Sequence, residues 1–138
     1  TASIEFASAA LKVPHIIVCG HTECGAMKGA MDLHHDATSL DTLPHVREWL
    51  GYSRAAVDIV DALAEGKSET DRTRMLLEQN IVLQLQHLRT HPTVALRLAR
   101  REVELHGWVY DIKTGAVDAY DPAQDRFVSI EERYGLGG

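Results

Sequence analysis

Cysteine is scarce in this chain: Cys19 and Cys24 are the only two, separated by five positions. A disulfide between them would have to close within one tight turn, so no disulfide framework is expected and a reducing, cytoplasmic setting is the default. Long apolar runs are absent as well. None approaches the ~20 residues that span a bilayer, and no apolar stretch with a basic flank reads as a secretory signal, so no membrane partner is expected. Positive charge is in short supply, with 14 Lys and Arg against 20 Asp and Glu and a net charge of −6, which argues against non-specific nucleic-acid binding. A small neutral or anionic substrate stays compatible with this balance, because a local site can override the global field. The 138 residues fit one α/β domain with a single sizeable core.

What is present begins in mid-structure. The opening "TASIEFASAALKVPH" reads as a helix over 3–12, with Ser3 as its N-cap, an apolar stripe of Phe6, Ala10 and Leu11, and Pro14 as its end. An upstream portion is therefore expected to be missing. "HIIVCG" is a continuous β-branched run bounded by Pro and Gly, which suits an inner, buried parallel strand. The small residues Gly25–Met31 then start a helix. Strand, tight turn and helix form the unit of an open sheet whose ligands bind beyond the carboxyl ends of the strands.

Further on, 32–45 reads as a polar surface loop, and 46–50 and 55–63 as helices. A long helix capped by Thr70 or Asp71 follows, with Leu76, Leu77, Ile81, Leu85 and Leu88 on one face. Pro92 ends it, and 93–104 continues as another helix. Trp108, Tyr110 and Ile112 alternate before a "KTG" turn, which predicts a strand pair with Val117 and Ala119. The tail "IEERYGLGG" reads as frayed. The fold class predicted is α/β, a central and mostly parallel sheet flanked by helices.

His21 and Cys24 are the candidate metal ligands. His-x-x-Cys supplies one imidazole nitrogen and one thiolate, which zinc prefers in a tetrahedral shell, and a helix start favours the thiolate form of a cysteine. Gly25 leaves a bare backbone N–H beside them. The spacing alone is a weak signal, since His-x-x-Cys arises often by chance and a buried cysteine is usually a small hydrophobe.

The stretch "ASIEFASAALKVPHIIVCGHTECGAMKGAM" closely resembles the β-class carbonic anhydrases, nearest their bacterial and cyanobacterial branch, whose second zinc-binding block runs "I-x-V-C-G-H-[ST]-x-C-G-A". "EQNIVLQLQHLRTHPTV" and "LHGWVYDIKTGAVDAYD" are similar to that family too, so the match extends from Thr1 to about Phe127. The resemblance implies zinc as cofactor, reversible hydration of CO2 to bicarbonate, and a homodimer or larger homo-oligomer. It makes His21 and Cys24 two of three protein ligands, and Gly25 a backbone donor to the substrate oxygen. The first ligand and a catalytic Asp–Arg pair would belong to an upstream Cys-x-Asp-x-Arg block that these 138 residues do not contain. The expectation is a segment cleaved, disordered or naturally absent, with the chain alone weak or inactive as a catalyst. Helices lost with that segment would leave apolar surface uncovered. The alternative is a non-catalytic module that keeps the fold for binding or assembly. A structural zinc site in an unrelated α/β protein would need two more ligands, which the sequence does not supply.

Other residues carry plainer expectations. His34, His35 and Asp36 read as a solvated loop. His15, His45, His87, His91 and His106 show no ligand-like spacing. Asn80 and Gln84, one helical turn apart, suit hydrogen bonds to buried backbone, and Arg97, Arg100 and Arg101 suit a solvated helix face. Cys19 and Trp108 read as packing. So does Tyr110, although in some members of the resembled family a tyrosine in this region binds non-catalytic bicarbonate.

Overall fold

The computed structural model describes residues 1–136. A single sheet has the strand order β1 (His15–His21), β2 (Glu104–Tyr110), β3 (Val117–Asp121) and β4 (Arg126–Ser129). β1 and β2 run parallel, while β2–β3 and β3–β4 are antiparallel hairpin pairs. Between β1 and β2 the chain passes through α2 (Gly25–His35), α3 (Pro44–Leu50), α4 (Arg54–Leu63), α5 (Glu69–Thr90) and α6 (Pro92–Ala99). Before β1 lies α1 (Ala2–Glu5), which widens into a π-helical turn over Phe6–Ala10, and after β4 comes α7 (Ile130–Tyr134). The α/β class expected from the sequence is the one observed.

The core forms where α5 crosses β1 and β2. Leu76, Leu77, Ile81 and Leu85 of α5 are buried, as their helical spacing predicts, and Leu88 lies half-buried at the end of the stripe. Two glycines on adjacent strands let the helix come close. A Cβ at Gly20 would lie 2.5 Å from Leu77 Cδ1, and one at Gly107 would lie 2.7 Å from Ile81 Cγ2 and 3.0 Å from Leu85 Cδ1. α4 closes the layer with Ala56, Val57 and Val60 against Met27 and Ala30 of α2.

Several expectations need correction. β1 is an edge strand among the described residues, not an inner one, and its residues alternate exposed and half-buried. Its hydropathy does not alternate, so the sequence reads as a strand covered on both faces while only the α5 face is covered here. Ser3 sits inside α1; the N-cap is Thr1, whose carbonyl accepts from Glu5 N at 3.0 Å. Phe6 and Leu11, read as a packing stripe, are each 61% exposed. α5 starts earlier than expected: Ser68, not Thr70 or Asp71, is its N-cap and accepts from Asp71 N at 3.1 Å. The loop begins only after α2 has run through His35, α6 stops at Ala99, and the tail folds as α7, capped by Ser129. Gly137 and Gly138, part of the glycine-rich tail, lie outside the described residues.

Arg97 departs furthest from expectation. It is buried, and its guanidinium donates to the carbonyls of Ser8 (3.0 Å), Val13 (2.8 Å), Lys12 (3.1 Å) and Glu102 (2.7 Å). These carbonyls lie in the π-helical turn and in the segments leading into β1 and β2, and a planar fork of N–H groups can serve several at once. Arg100 and Arg101 are exposed as expected.

Candidate functional site

β1 ends at His21, and a two-residue turn delivers the chain to α2. Thr22 ties the turn to the end of β2: its N–H donates to the Tyr110 carbonyl at 3.0 Å, and its Oγ1 accepts from Ile112 N at 3.1 Å. Glu23 takes a left-handed backbone (φ 57°), which lets so short a turn reverse the chain. Its carboxylate pairs with Lys113, and that hydrogen bond raises the Lys113 ammonium above its ordinary pKa. Cys24 is then the N-cap of α2 in an extended conformation (φ −74°, ψ 113°), with its thiol not spent on capping.

The His21 ring is oriented from behind. Its Nδ1 lies 2.8 Å from the Thr22 carbonyl, which can only accept, so Nδ1 carries the proton and Nε2 keeps its lone pair. His21 and Cys24 together line a cleft of about 950 Å³ whose wall includes Ile16, Val18, Met27 and Leu77. A second cleft of about 540 Å³ also reaches His21 and Cys24, and its far wall is polar, with Arg74, Asp111 and Lys113. Arg74 is held there by Glu78 at 2.6 Å and Asp118 at 2.7 Å. Beside the pair, the space over Gly25 is open, since nothing lies within 4 Å of where a Cβ would stand.

His21 and Cys24 both line this cleft, and an imidazole nitrogen and a thiol fit the donor preferences of zinc, but as a partial set. Among the described residues, no third His, Cys, Asp or Glu donor joins His21 and Cys24 in a compact three-ligand group. Cys19 is two residues from His21 on the same strand face and also lines the larger cleft. Partial desolvation pushes its thiol pKa up, which favours the protonated form. Both cysteines are free.

The remaining candidates sort by their partners. Asn80 Oδ1 accepts from Ser53 Oγ and from Gln84 Nε2, both at 3.0 Å, and Gln84 Nε2 also donates to the Tyr52 carbonyl at 3.4 Å, so the pair joins a side-chain network on the cleft wall to one backbone partner of the kind expected. His34 and His35 form the last turn of α2, not a solvated loop, and their Nε2 atoms lie 3.0 and 3.3 Å from Asp61 Oδ2. Asp61 is held in turn by Arg72. Tyr110 pairs with His21 across the strands and is 41% exposed. Trp108 donates from Nε1 to Tyr134 Oη at 3.0 Å. His15 and His106, read as unrelated, come together: His15 Nδ1 and His106 Nε2 are 3.1 Å apart. Only the β1–β2 register could have revealed that.

Comparison with known proteins bears on the whole arrangement. The family model described as "Carbonic anhydrase" matches residues 1–117. A carbonic anhydrase of Pseudomonas aeruginosa is 46% identical over 132 residues, covering 96% of this chain and 58% of that protein. Carbonic anhydrase 1 of Escherichia coli O157:H7 is 37% identical over 130 residues, covering 94% of this chain and 57% of its own length. The solved structure of the beta-carbonic anhydrase CcaA superposes with a TM-score of 0.86 at 38% identity, over 93% of this chain and 61% of that one. The chain thus spans somewhat over half the length of these relatives. Sequence similarity through residue 117 and backbone similarity through nearly the whole chain agree, and on both counts the chain belongs to the β-class carbonic anhydrase family.

Proposed function

We propose that this chain carries the greater part of a zinc-dependent site for the reversible hydration of CO2 to bicarbonate. The observation that carries the proposal is the pairing of a His21 Nε2 left free by the Nδ1–Thr22 bond with Cys24 at the start of α2, both facing one cleft. In this reading His21 and Cys24 are two of the protein ligands of a zinc ion. When bound, zinc acts as a Lewis acid that lowers the pKa of water toward ~7 and so provides a nucleophile near neutral pH.

The chain's own residues do the rest. Ile16, Val18, Met27 and Leu77 give the cleft an apolar wall suited to a small uncharged molecule. The Gly25 N–H, at the first position of α2, donates to the substrate oxygen on which negative charge grows. The rest of the ligand set and the Asp–Arg pair are assigned to a segment outside these 138 residues, so this chain by itself hydrates CO2 poorly. The open edge of β1 and the two-donor set support that assignment. The same two observations favour the second reading, a non-catalytic module that keeps the fold for assembly.

Self-association belongs to the proposal as well. Ile17 is 43% exposed, Trp49 60% and Tyr52 65%, surface that a second copy would cover. Two free cysteines fit a reducing cytoplasm. Among the described residues no helix is long and apolar enough to cross a membrane.

Gly25→Pro tests the substrate role. Proline is at ease at the first position of a helix, the extended Cys24 before it suits a pre-proline residue, and the space for the ring is open. The substitution therefore removes one N–H and little else. Placed in a longer protein that contains the Cys-x-Asp-x-Arg block, it should leave the zinc content intact and lower stopped-flow CO2 hydration by about 10²-fold. Unchanged turnover would remove Gly25 from the site. Absence of hydration in the unsubstituted longer protein would favour the non-catalytic reading.

A further inference from the structure

The amino ends of β1 and β2, at the far end of the strands from His21, hold a second cluster of donors. Parallel register sets His15 opposite Glu104, and His106 follows Glu104 by two residues on the same face of the sheet. His15 Nδ1 and His106 Nε2 are 3.1 Å apart, and Glu104 Oε2 lies 3.7 Å from the first and 3.8 Å from the second. We infer that His15, Glu104 and His106 form a surface site for a divalent transition-metal ion of the zinc class, separate from the His21–Cys24 cleft.

The geometry carries this. Metal–ligand bonds of 2.0–2.2 Å around a tetrahedral ion set neighbouring donors about 3.3 Å apart. The two imidazole nitrogens are already near that separation, and Glu104, whose side chain is 73% exposed, closes the triangle by a shift of about half an ångström. Two nitrogens and one carboxylate oxygen suit zinc, cobalt or nickel and do not suit magnesium or calcium, which take oxygen shells. Six residues of β1 at ~3.3 Å each separate His15 from His21 by about 20 Å, so one ion cannot serve both places.

The surroundings of His106 resemble the support given to a ligating histidine. Its side chain is 11% exposed, and its ring packs against Tyr134, with centroids 5.6 Å apart. The other ring nitrogen, Nδ1, is 2.7 Å from Tyr134 Oη, and Tyr134 Oη in turn accepts from Trp108 Nε1. Trp108 can only donate, so the phenol oxygen is fixed where it can receive the Nδ1 proton and leave Nε2 free to bind. A histidine ligand is commonly oriented in this way through its second nitrogen. His15, 57% exposed, leaves the remaining coordination positions open to water.

The test uses the full chain with His21→Ala and Cys24→Ser, which remove the other candidate ligands. Equilibrium dialysis against Zn2+, and separately Co2+, should leave one tightly held ion. The cobalt spectrum should lack a thiolate charge-transfer band. Adding His15→Ala should abolish that binding, and adding Glu104→Gln should weaken it by about tenfold or more; both side chains are mostly exposed, so neither change threatens the fold. Tyr134→Phe, which keeps the ring and removes the orienting oxygen, should weaken it by about tenfold. No bound ion in the His21→Ala, Cys24→Ser chain overturns the site, and so does binding that survives His15→Ala with unchanged affinity.

Discussion

The two faces of the sheet are built on different terms. One face of β1 and β2 presents Ile16, Val18, Gly20, Leu105, Gly107 and Val109 toward α5, and most of the core packs there, with Ile16 and Val18 also lining the His21–Cys24 cleft. The opposite face presents His15, Ile17, Cys19 and His21 beside Glu104, His106, Trp108 and Tyr110. Among the described residues it is covered in part, by Tyr134 of α7 over His106 and Trp108, and Ile17 and Tyr110 stay more than 40% exposed. The first face is a structural core. The second holds polar chemistry at both ends of the strands, with Tyr134 over part of it and Ile17 left exposed. Most of the packing lies on one side of these two strands and most of the polar donors on the other, and the His21–Cys24 cleft draws on both.

Substitutions can break that contrast. The largest effects should fall on the α5 face. Ile81→Ala removes a side chain that touches both strand glycines and should cost about 2–5 kcal/mol in urea unfolding. Gly107→Ala should cost about 1–3 kcal/mol, because its new methyl meets the branched Cγ2 of Ile81, which cannot swing aside as a chain end can. If both proved near neutral, α5 would not be the seat of the core.

A smaller effect is expected at Tyr120 on β3. Its phenol pKa is pushed up to about 12, by burial first and then by its hydrogen bond to Asp125 at 2.7 Å. A folded pKa above the unfolded value of ~10 means that the group's stabilisation is complete below pH ~10 and is lost as pH rises toward 12. The stability difference between the native chain and Tyr120→Phe should therefore shrink over that interval. A difference that held constant to pH 12 would contradict the assignment. The smallest effect should be at Ile17. On the open face, Ile17→Ala should change the stability of the monomer by no more than about 0.5 kcal/mol. A cost of several kcal/mol that grows with protein concentration would show that a second copy already covers this face.

Much of this contrast was legible in the sequence, and what was missed has a physical pattern. The α5 stripe and the β1–turn–α2 unit could be read because both depend on neighbours within one element. Ser68 was passed over because Thr70 and Asp71, two and three residues on, are equally good capping types, and only the backbone geometry decides among them. β4 has just Phe127 and Val128 as apolar signal and exists because β3 is there to pair with it. Arg97 looked like a surface charge because its four acceptors include three that lie 84 to 89 positions away. His15 and His106 are 91 positions apart and meet only through the parallel register. β1 misled in the opposite direction. Its composition describes a strand covered on both faces, whereas among the described residues it is an edge strand covered on the α5 face alone.

The claim on which the functional account rests is that Cys24, and not Cys19, binds zinc alongside His21. Zinc content by atomic absorption, measured on Cys24→Ser and Cys19→Ser in the His15→Ala background so that the second cluster contributes nothing, tests it most directly. The account predicts that Cys24→Ser loses its specifically bound zinc and that Cys19→Ser keeps nearly all of it. Equal loss in the two variants would contradict the assignment of Cys19, and full retention in Cys24→Ser would contradict the site itself.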